Sequence, residues 1–176
     1  MPEAVIQHVP GKREGTLNAL LSVFPNAVVV ECQGYPMTTF RRALEAIDCG
    51  GFFFEDDARL TNGFLEKTEK LRSEWFVQFF SRKKMPPGIY SMPPSSWIYN
   101  VGFWLPSGHG KRISTYAANW HRLKEHPTGF DLVIRDYLIS KKLGYFIHVP
   151  SLVQHVVGPS LLGPRAKDRS SPTFMP

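Results

Sequence analysis

The segment Gly51-Phe52-Phe53-Phe54-Glu55-Asp56-Asp57 places three carboxylates directly after three consecutive phenylalanines. A short apolar run that follows glycine and ends in charged residues is typical of a buried strand. The glycine pair at 50–51 closes a helical pattern, so the predicted strand starts after it. The sequence therefore predicts a buried strand that ends in an acidic triplet.

The sequence before this strand alternates between apolar runs and helical periodicity. The runs at 4–9 and 27–30 predict strands, and the second is typical of a strand covered on both faces. Amphipathic helices are predicted to begin near Thr16 and at Thr38 or Thr39. Strand–helix–strand–helix–strand predicts a parallel, doubly wound α/β sheet.

The sequence after the triplet continues this alternation. The predicted elements are a helix at 64–71 capped by Asn62, a strand at 75–80, a proline-rich loop at 81–96, a strand at 97–105, helices at 113–123 and 130–138, and a strand at 145–149. We predict one α/β domain over residues 1–157, with a mixed, mainly parallel sheet flanked by helices. Residues 158–176 form a basic tail rich in Pro, Ser and Gly.

The composition is that of a soluble globular protein, with 176 residues of which 43% are hydrophobic and 20% charged. No apolar run approaches the roughly 20 residues of a membrane span, and no signal-peptide pattern is present. We therefore expect a soluble, intracellular protein without membrane insertion. The net charge of +6 favours an anionic partner. The two cysteines lack CxxC spacing, which indicates neither a zinc site nor a disulfide framework.

The acidic triplet is the first candidate for chemistry. Ligands of open α/β sheets bind beyond the carboxyl ends of the strands, where Glu55, Asp56 and Asp57 are expected. Adjacent carboxylates repel one another, and a divalent cation such as Mg²⁺ or Mn²⁺ would relieve that repulsion. Alternatively, one acid caps the next helix and the others face water.

His155 is the second candidate. It follows the last predicted strand and Pro150, and its neighbours Val153 and Val156 are apolar. If it reaches the edge that carries the acidic triplet, its imidazole would complete a metal site. Otherwise it is a hydrogen-bonded structural histidine.

Two blocks of sequence resemble a known family. The run Gly51-Phe52-Phe53-Phe54-Glu55-Asp56-Asp57-Ala58 resembles the acidic motif of nucleotide-sugar glycosyltransferases with the GT-A fold. The block His148-Val149-Pro150-Ser151-Leu152-Val153-Gln154-His155, followed by Gly158-Pro159-Ser160, is similar to the C-terminal signature of their small bacterial and phage branch, which is like glycosyltransferase family 25. The resemblance implies a GT-A-like fold, a nucleoside-diphosphate sugar (a UDP-sugar) as donor, and Mn²⁺ or Mg²⁺ as cofactor.

The resemblance also implies roles for individual residues. Asp57 would bind the metal, and Asp56 or Glu55 would contact the ribose or a metal-bound water. His155 would contact the metal or the diphosphate. The segment Val9-Pro10-Gly11-Lys12-Arg13 would meet the nucleotide base and ribose.

Further positive side chains precede the acidic strand. Arg41 and Arg42 lie on the predicted second helix, and one of them would face the diphosphate. The alternative is that both lie on a solvated helix face.

An inverting transfer needs a general base for the acceptor hydroxyl. Asp131, at the start of the last predicted helix, matches the usual position of this base, and it is equally suited to an N-terminal helix cap. Asp136 lies about 140° round the same helix and would face elsewhere. A retaining transfer needs no such base, and the sequence leaves both open.

The charge of the chain bears on which molecule accepts the sugar. The basic run Arg82-Lys83-Lys84 and the net charge are compatible with DNA, in which hydroxymethylated pyrimidines of phage would receive the sugar in the cytoplasm of an infected bacterium. The alternatives are a bacterial surface glycan of the lipopolysaccharide type and a non-catalytic nucleic-acid-binding module.

Overall fold

The computed structural model describes residues 3–71, 74–156 and 170–176. The helices in these ranges are α1 (Glu14–Val23), α2 (Pro36–Ala46), α3 (Phe64–Thr68), α4 (Gly110–Ala118) and α5 (Phe130–Ser140), with 3-10 turns at Glu69–Leu71 and Pro94–Ser96. The strands are β1 (Ala4–His8), β2 (Val28–Glu31), β3 (Gly51–Glu55), β4 (Ala58–Leu60), β5 (Val77–Gln78), β6 (Gly88–Met92), β7 (Gly102–Leu105), β8 (Tyr145–Val149) and β9 (Val153–His155).

Seven of these strands form one sheet in the order β2-β1-β3-β7-β5-β8-β6. Strand β1 is parallel to β2 and β3, and β5 is parallel to β8. Strand β7 runs against both β3 and β5, and β6 runs against β8. Five of the seven strands therefore point the same way, which confirms the predicted α/β domain with a mixed, mainly parallel sheet.

The three phenylalanines of β3 explain why the sheet has a core on each face. Phe53 packs in the cluster that includes side chains of α2, α4 and α5. Phe52 and Phe54 point the other way, into the cluster that includes side chains of α1 and α3. Alternate side chains of a strand face opposite sides of the sheet, so β3 is buried on both faces as predicted.

The prediction for β2 is wrong in one respect. Its valines suggest a strand covered on both faces, but β2 is the outermost strand of the sheet and its residues are half-buried or exposed. β-branched residues suit any pleated strand, so composition alone does not distinguish an edge strand from an inner one.

The middle of the chain departs most from the sequence prediction. The loop predicted at 81–96 contains β6, an edge strand framed by proline pairs, since proline is tolerated at sheet edges. The strands predicted at 75–80 and 97–105 are present as β5 and β7, and both are shorter than predicted. Tyr99 adopts a positive φ of 64°, which is incompatible with extended backbone and interrupts the second of these.

Helix ends also differ from the prediction by a few residues. Helix α1 begins at Glu14 rather than near Thr16, and α2 begins at Pro36, where proline fills the first helical position. Gly63, not Asn62, is the N-cap of α3. The helix predicted at 64–71 is α3 followed by a 3-10 turn. The helix predicted at 113–123 is α4, which starts and ends earlier than predicted.

The close packing of α2 against α4 requires a glycine at the start of α4. A Cβ atom at Gly110 would overlap with the main-chain carbonyl oxygen of Leu44. Glycine therefore lets the first turn of α4 lie directly against α2.

A second, two-stranded sheet is absent from the sequence prediction. Strands β4 and β9 pair antiparallel, with Ala58 opposite His155. This pairing brings the end of the second sequence block next to the acidic triplet.

The described end of the chain packs against the strand ends. Ser171 is buried, and its hydroxyl donates to the Ser81 carbonyl (2.6 Å) and lies 2.7 Å from the Ser151 hydroxyl. The Thr61 hydroxyl donates to the carbonyl of Met175 (2.6 Å). The rest of the predicted tail, 158–169, lies outside the described residues.

Candidate functional site

The carboxyl ends of β1 and β3 form one edge of the sheet. Gln7 and Glu55 are register partners at this edge, and His8 pairs with Glu31 of β2 on the other side. This is the edge at which α/β sheets bind ligands. The acidic triplet lies on it, as predicted.

Asp56 is buried and fixes the turn that follows β1. Its Oδ2 accepts hydrogen bonds from the Val9 amide (2.8 Å) and faces the Nδ1 of His8 (3.0 Å). Its Oδ1 accepts from the Arg13 guanidinium (3.0 Å). Both oxygens are therefore engaged by the first strand–helix connection.

Arg13 bridges the two adjacent aspartates. Its Nη1 lies 3.0 Å from Asp56 Oδ1 and 2.6 Å from Asp57 Oδ2. Its backbone is left-handed, with φ 57° and ψ 27°, a conformation that costs a non-glycine residue about 1–3 kcal/mol. Two charge-assisted contacts offset that strain. Gly11, also at positive φ, makes the preceding turn.

Asp57 contacts His155 across the β4–β9 pair. The Nε2 of His155 lies 3.0 Å from Asp57 Oδ2, and the Val156 amide donates to the Asp57 carbonyl (2.7 Å). Both side chains are close to fully buried, with 5% of Asp57 and 12% of His155 exposed. The structure thus brings together two residues that the sequence singled out separately.

Two members of the cluster were missed at the level of sequence. His8 is buried, with its Nε2 3.2 Å from Glu14 Oε1, which also accepts from the Gly11 amide (3.0 Å). The available signals were the position of His8 at the end of the first strand and the acid in the first turn of α1, where negative charge is favoured. Neither signal is specific, because the contacts of His8 with Asp56 and with Glu14 are made only by folding.

Buried polar atoms without a hydrogen-bond partner concentrate at this edge. Among the described residues they are Gln7 Oε1, Asp57 Oδ1, Asn100 Nδ2 and His155 Nδ1. Gln7 lies near the end of β1, and Asn100 precedes β7, whose start is at the same edge because β7 runs antiparallel. Such atoms are rare in native proteins and costly, so four at one edge indicate a place where water or a ligand completes the bonding.

These four atoms divide between the faces of the sheet. Gln7 alternates with Ile6 and His8 and shares a face with Val5, which packs with α2. The Oδ1 of Asn100 accepts from the Trp97 indole (2.8 Å), and Trp97 belongs to the same core cluster. Asp57 and His155 lie with β4 and β9, on the α1 side.

A cavity of about 660 Å³ lies near the cluster, and its wall is formed by residues next to Asp57 and His155 in the chain and not by the acidic pair itself. It lies between one side of α1, β4 and the start of α3, and its lining includes Thr16, Ala58, Phe64 and Val156. Ala58 and Val156 directly follow Asp57 and His155. Its volume is within the range of small-molecule sites, so there is room for a ligand beside the cluster.

The predicted metal site can be tested against the free atoms. Asp57 Oδ1 and His155 Nδ1 are unpaired, and carboxylate oxygen suits Mn²⁺ or Mg²⁺ with water and phosphate as further ligands. Within 3–71, 74–156 and 170–176, no group of three His, Cys, Asp or Glu side chains is placed to hold a metal. The Nδ1 of His155 points away from Asp57, because the Nε2 of the same ring faces Asp57 Oδ2 at 3.0 Å, so the two unpaired atoms do not share one ion. The facing atoms, Asp57 Oδ2 and His155 Nε2, fit an ion that takes two ligands from the protein and the rest from substrate and water.

Other predicted residues lie at or beyond the rim of the cluster. Pro10 and Lys12 are exposed in the turn that Asp56 holds, and Glu55 is half-buried at the end of β3. Arg41 donates through Nε to the Ser114 carbonyl (3.0 Å), which joins α2 to α4, and Arg42 is exposed. In the described chain neither arginine contacts the aspartates.

Asp131 lies in the first turn of α5. Its carboxylate accepts a hydrogen bond from the Leu132 amide (3.0 Å), while Gly129 holds the cap position. The adjacent Phe130 stacks on Phe40 of α2 at 4.9 Å. Asp131 therefore satisfies one helix amide and lies on the α2 face of the sheet, away from Asp57.

A scan against models of known protein families finds no match to this chain, and a search of curated proteins finds none either. In the part of the chain that the structure describes, no helix combines the length and apolar character needed to cross a bilayer.

Proposed function

We propose that the protein is a metal-dependent glycosyltransferase that moves a sugar from a nucleoside diphosphate to a hydroxyl acceptor. The observation that carries the proposal is the concentration of four unpaired buried polar atoms at the edge that also holds Asp56, Asp57 and Arg13. A metal ion with a ligand rich in hydroxyl groups and oxygen atoms would satisfy these atoms and the acidic pair together. The sequence resemblance to nucleotide-sugar enzymes is independent support.

The anionic part of the donor is matched by the turn after β1. Arg13 and Lys12 are its cations, and the turn leads into the N-terminus of α1, whose free amides favour phosphate. The cavity between α1 and β4 gives the nucleoside a place beside this turn. Arg13 is neutralised by Asp56 and Asp57 in the structure, so it would turn towards the diphosphate when a bound metal replaces its charge beside Asp57.

Asp57 Oδ2 and His155 Nε2, which face each other at 3.0 Å, would hold the metal between them. A bound Mn²⁺ or Mg²⁺ supplies positive charge that stabilises the departing diphosphate. Arg13 and Lys12 add to that stabilisation from the chain itself.

The sugar is matched by neutral groups on the other face. Gln7 Oε1 is a free acceptor and Asn100 Nδ2 a free donor, and a hydroxyl group can satisfy either. Asp131, in the first turn of α5 on the same face, is the proposed base of an inverting transfer, which requires the sugar to extend from the diphosphate past the ends of β1 and β3.

The experiment that tests the proposal is a donor panel. The protein is incubated with UDP-, GDP-, ADP-, CDP- and dTDP-sugars with and without Mn²⁺, and donor hydrolysis and thermal stabilisation are followed. We expect one nucleotide class to raise the melting temperature and to be hydrolysed only with metal. Failure of every donor to bind would overturn the proposal.

A matched pair of variants localises the effect. Asp57→Asn removes the carboxylate of the site, and we expect it to abolish metal-dependent hydrolysis. Asp136→Asn removes another largely buried acid. Asp136 lies on α5 and pairs with Arg122 and Arg135, and we expect this variant to retain activity. Equal activity of both variants would contradict the role of Asp57.

A further inference from the structure

An exposed basic run lies at the same edge of the sheet as the acidic cluster. Arg82, Lys83 and Lys84 follow β5 after a few residues, and all three are exposed. Strand β5 points the same way as β1 and β3, because it is antiparallel to β7 and β7 is antiparallel to β3. Its carboxyl end therefore opens on the edge where Asp57 lies.

A strained loop connects the run to the acidic strand. The Arg82 guanidinium donates to the Tyr99 hydroxyl (3.2 Å), and the Tyr99 ring packs edge-on against Phe80 at 5.5 Å. Two residues later the Val101 carbonyl accepts from the Glu55 amide (3.2 Å). The path from the basic run to the predicted donor site is thus one short loop, and Tyr99 holds a left-handed backbone within it.

The charges of the run are available to a ligand. Arg13 is neutralised by two aspartates, whereas Arg82 contacts a neutral phenol. Within the described residues the ammonium groups of Lys83 and Lys84 have no carboxylate partner. Three uncompensated cations beside an aromatic ring match the phosphates and bases of a nucleic acid strand.

We infer that the acceptor is a nucleic acid, whose phosphodiester backbone lies along Arg82–Lys84 and whose target nucleotide passes Tyr99 towards the sugar. The inference rests on the proposed function and specifies its acceptor. An anionic bilayer would also attract lysines, but membrane-surface binding typically uses an amphipathic helix, and this run lies in a segment without helix or strand between β5 and β6. The aromatic ring beside the cations favours bases over lipid headgroups.

The test compares two charge-matched double variants. Lys83→Gln/Lys84→Gln removes two cations from the strand-end edge, and Lys141→Gln/Lys142→Gln removes two exposed cations between α5 and β8, at the opposite edge. Binding of fluorescein-labelled single-stranded and duplex DNA is measured by anisotropy at several salt concentrations, without donor or metal.

We expect the first variant to weaken DNA binding and to flatten the slope of log K against log salt by about 1.8 for duplex or about 1.4 for single strands. The second should leave both quantities at wild-type values. Equal losses in both variants, or no DNA binding by the wild type, would overturn the inference. Lysine-dependent binding to phosphatidylserine vesicles without DNA binding would overturn it in favour of a membrane surface.

The donor panel separates this inference from the proposed function. A protein that hydrolyses a nucleotide sugar but does not bind DNA keeps its proposed activity and loses the nucleic acid acceptor. DNA binding through Lys83 and Lys84 without binding of any donor would support the nucleic-acid surface and overturn the proposed transferase activity.

Discussion

The imidazole of His155 lies 3.0 Å from the carboxylate of Asp57, although most of the chain separates the two residues. Pairing of β4 with β9 produces this contact, since Ala58 and His155 are register partners. Each residue also has one buried atom without a partner. A contact that leaves both partners incompletely bonded is better suited to binding than to stability alone.

Replacement of His155 tests whether it binds a metal together with Asp57. We expect His155→Ala to remove the Mn²⁺-dependent part of donor stabilisation, because it deletes one of two proposed metal ligands, while donor binding without metal persists. Thermal shifts with and without Mn²⁺ measure the difference. His148→Ala is the control, since the Nδ1 of His148 lies 2.7 Å from the Pro150 carbonyl and apart from the cluster. An unchanged metal response in His155→Ala would contradict its role as a ligand.

Replacement of Arg13 tests the charge balance of the acidic pair. Arg13→Ala leaves Asp56 and Asp57 buried without their shared cation, and we expect a loss of about 3 kcal/mol in the free energy of unfolding. Urea denaturation measures it. Arg42→Ala, on an exposed helix position, should change the free energy by no more than about 0.5 kcal/mol.

A double variant checks the cause. In Arg13→Ala/Asp57→Asn the uncompensated charge is smaller, so the loss should be less than the sum of the two single losses. Additive losses would show that Arg13 stabilises the fold through packing instead of through the aspartates.

Local patterns predicted much of this fold. The strand at 145–149 and the order of the first five elements follow from apolar runs and helical periodicity, which depend on neighbouring residues. The edge position of β2, the β4–β9 pair and the interruption at Tyr99 depend on residues distant in the chain. Those features had no local signal.

The candidate site divides in the same way. Asp56 and Asp57 were predictable because they follow a buried strand directly. His8 and Glu14 were not, because their relation to Asp56 arises from the turn at 9–13. Arg13 was expected to meet the nucleotide, whereas the structure has it bridging two aspartates, a contact between loops that no sequence pattern encodes.

The stability of the protein should fall on acidification through His109. Burial, and then the nearby Arg112, lower the pKa of His109 from its ordinary value of 6.5, against a smaller opposing effect of Asp48. The folded state therefore favours the neutral imidazole, whose Nδ1 lies 3.0 Å from the Tyr137 hydroxyl. Below the unfolded pKa the unfolded chain binds more protons, so stability is lost as the pH falls from about 7 towards 5.

Urea denaturation across this pH range measures the effect. We expect His109→Gln to show a shallower decline than the wild type, because it removes the titrating group. His121→Gln replaces an exposed histidine and should retain the wild-type profile. Parallel profiles for the wild type and His109→Gln would contradict the assignment.

Replacement of Gly110 and of Gly15 by alanine should change the free energy of unfolding in opposite directions, because only Gly110 packs closely against another helix. Gly110→Ala should destabilise the protein by about 1–3 kcal/mol, because the added methyl group meets the main-chain carbonyl of Leu44, which cannot move alone. Gly15→Ala, in α1 with no atom within 4 Å of the added methyl group, should stabilise it by about 0.5–1 kcal/mol. Urea denaturation distinguishes them, and a stable Gly110→Ala variant would contradict the close approach of the two helices.

The position of Asp131 allows the proposed base to be separated from donor binding. Asp131→Asn keeps the side-chain oxygen that accepts from the Leu132 amide, so the start of α5 should persist. We expect the variant to bind donor and metal as the wild type does, while transfer to acceptor falls by at least about a hundredfold, the lower range for loss of a general base. Steady-state transfer assays and thermal shifts with donor measure the two quantities. Full transfer by Asp131→Asn would exclude this carboxylate as the base and favour a retaining reaction, for which the stereochemistry of the product is the independent check.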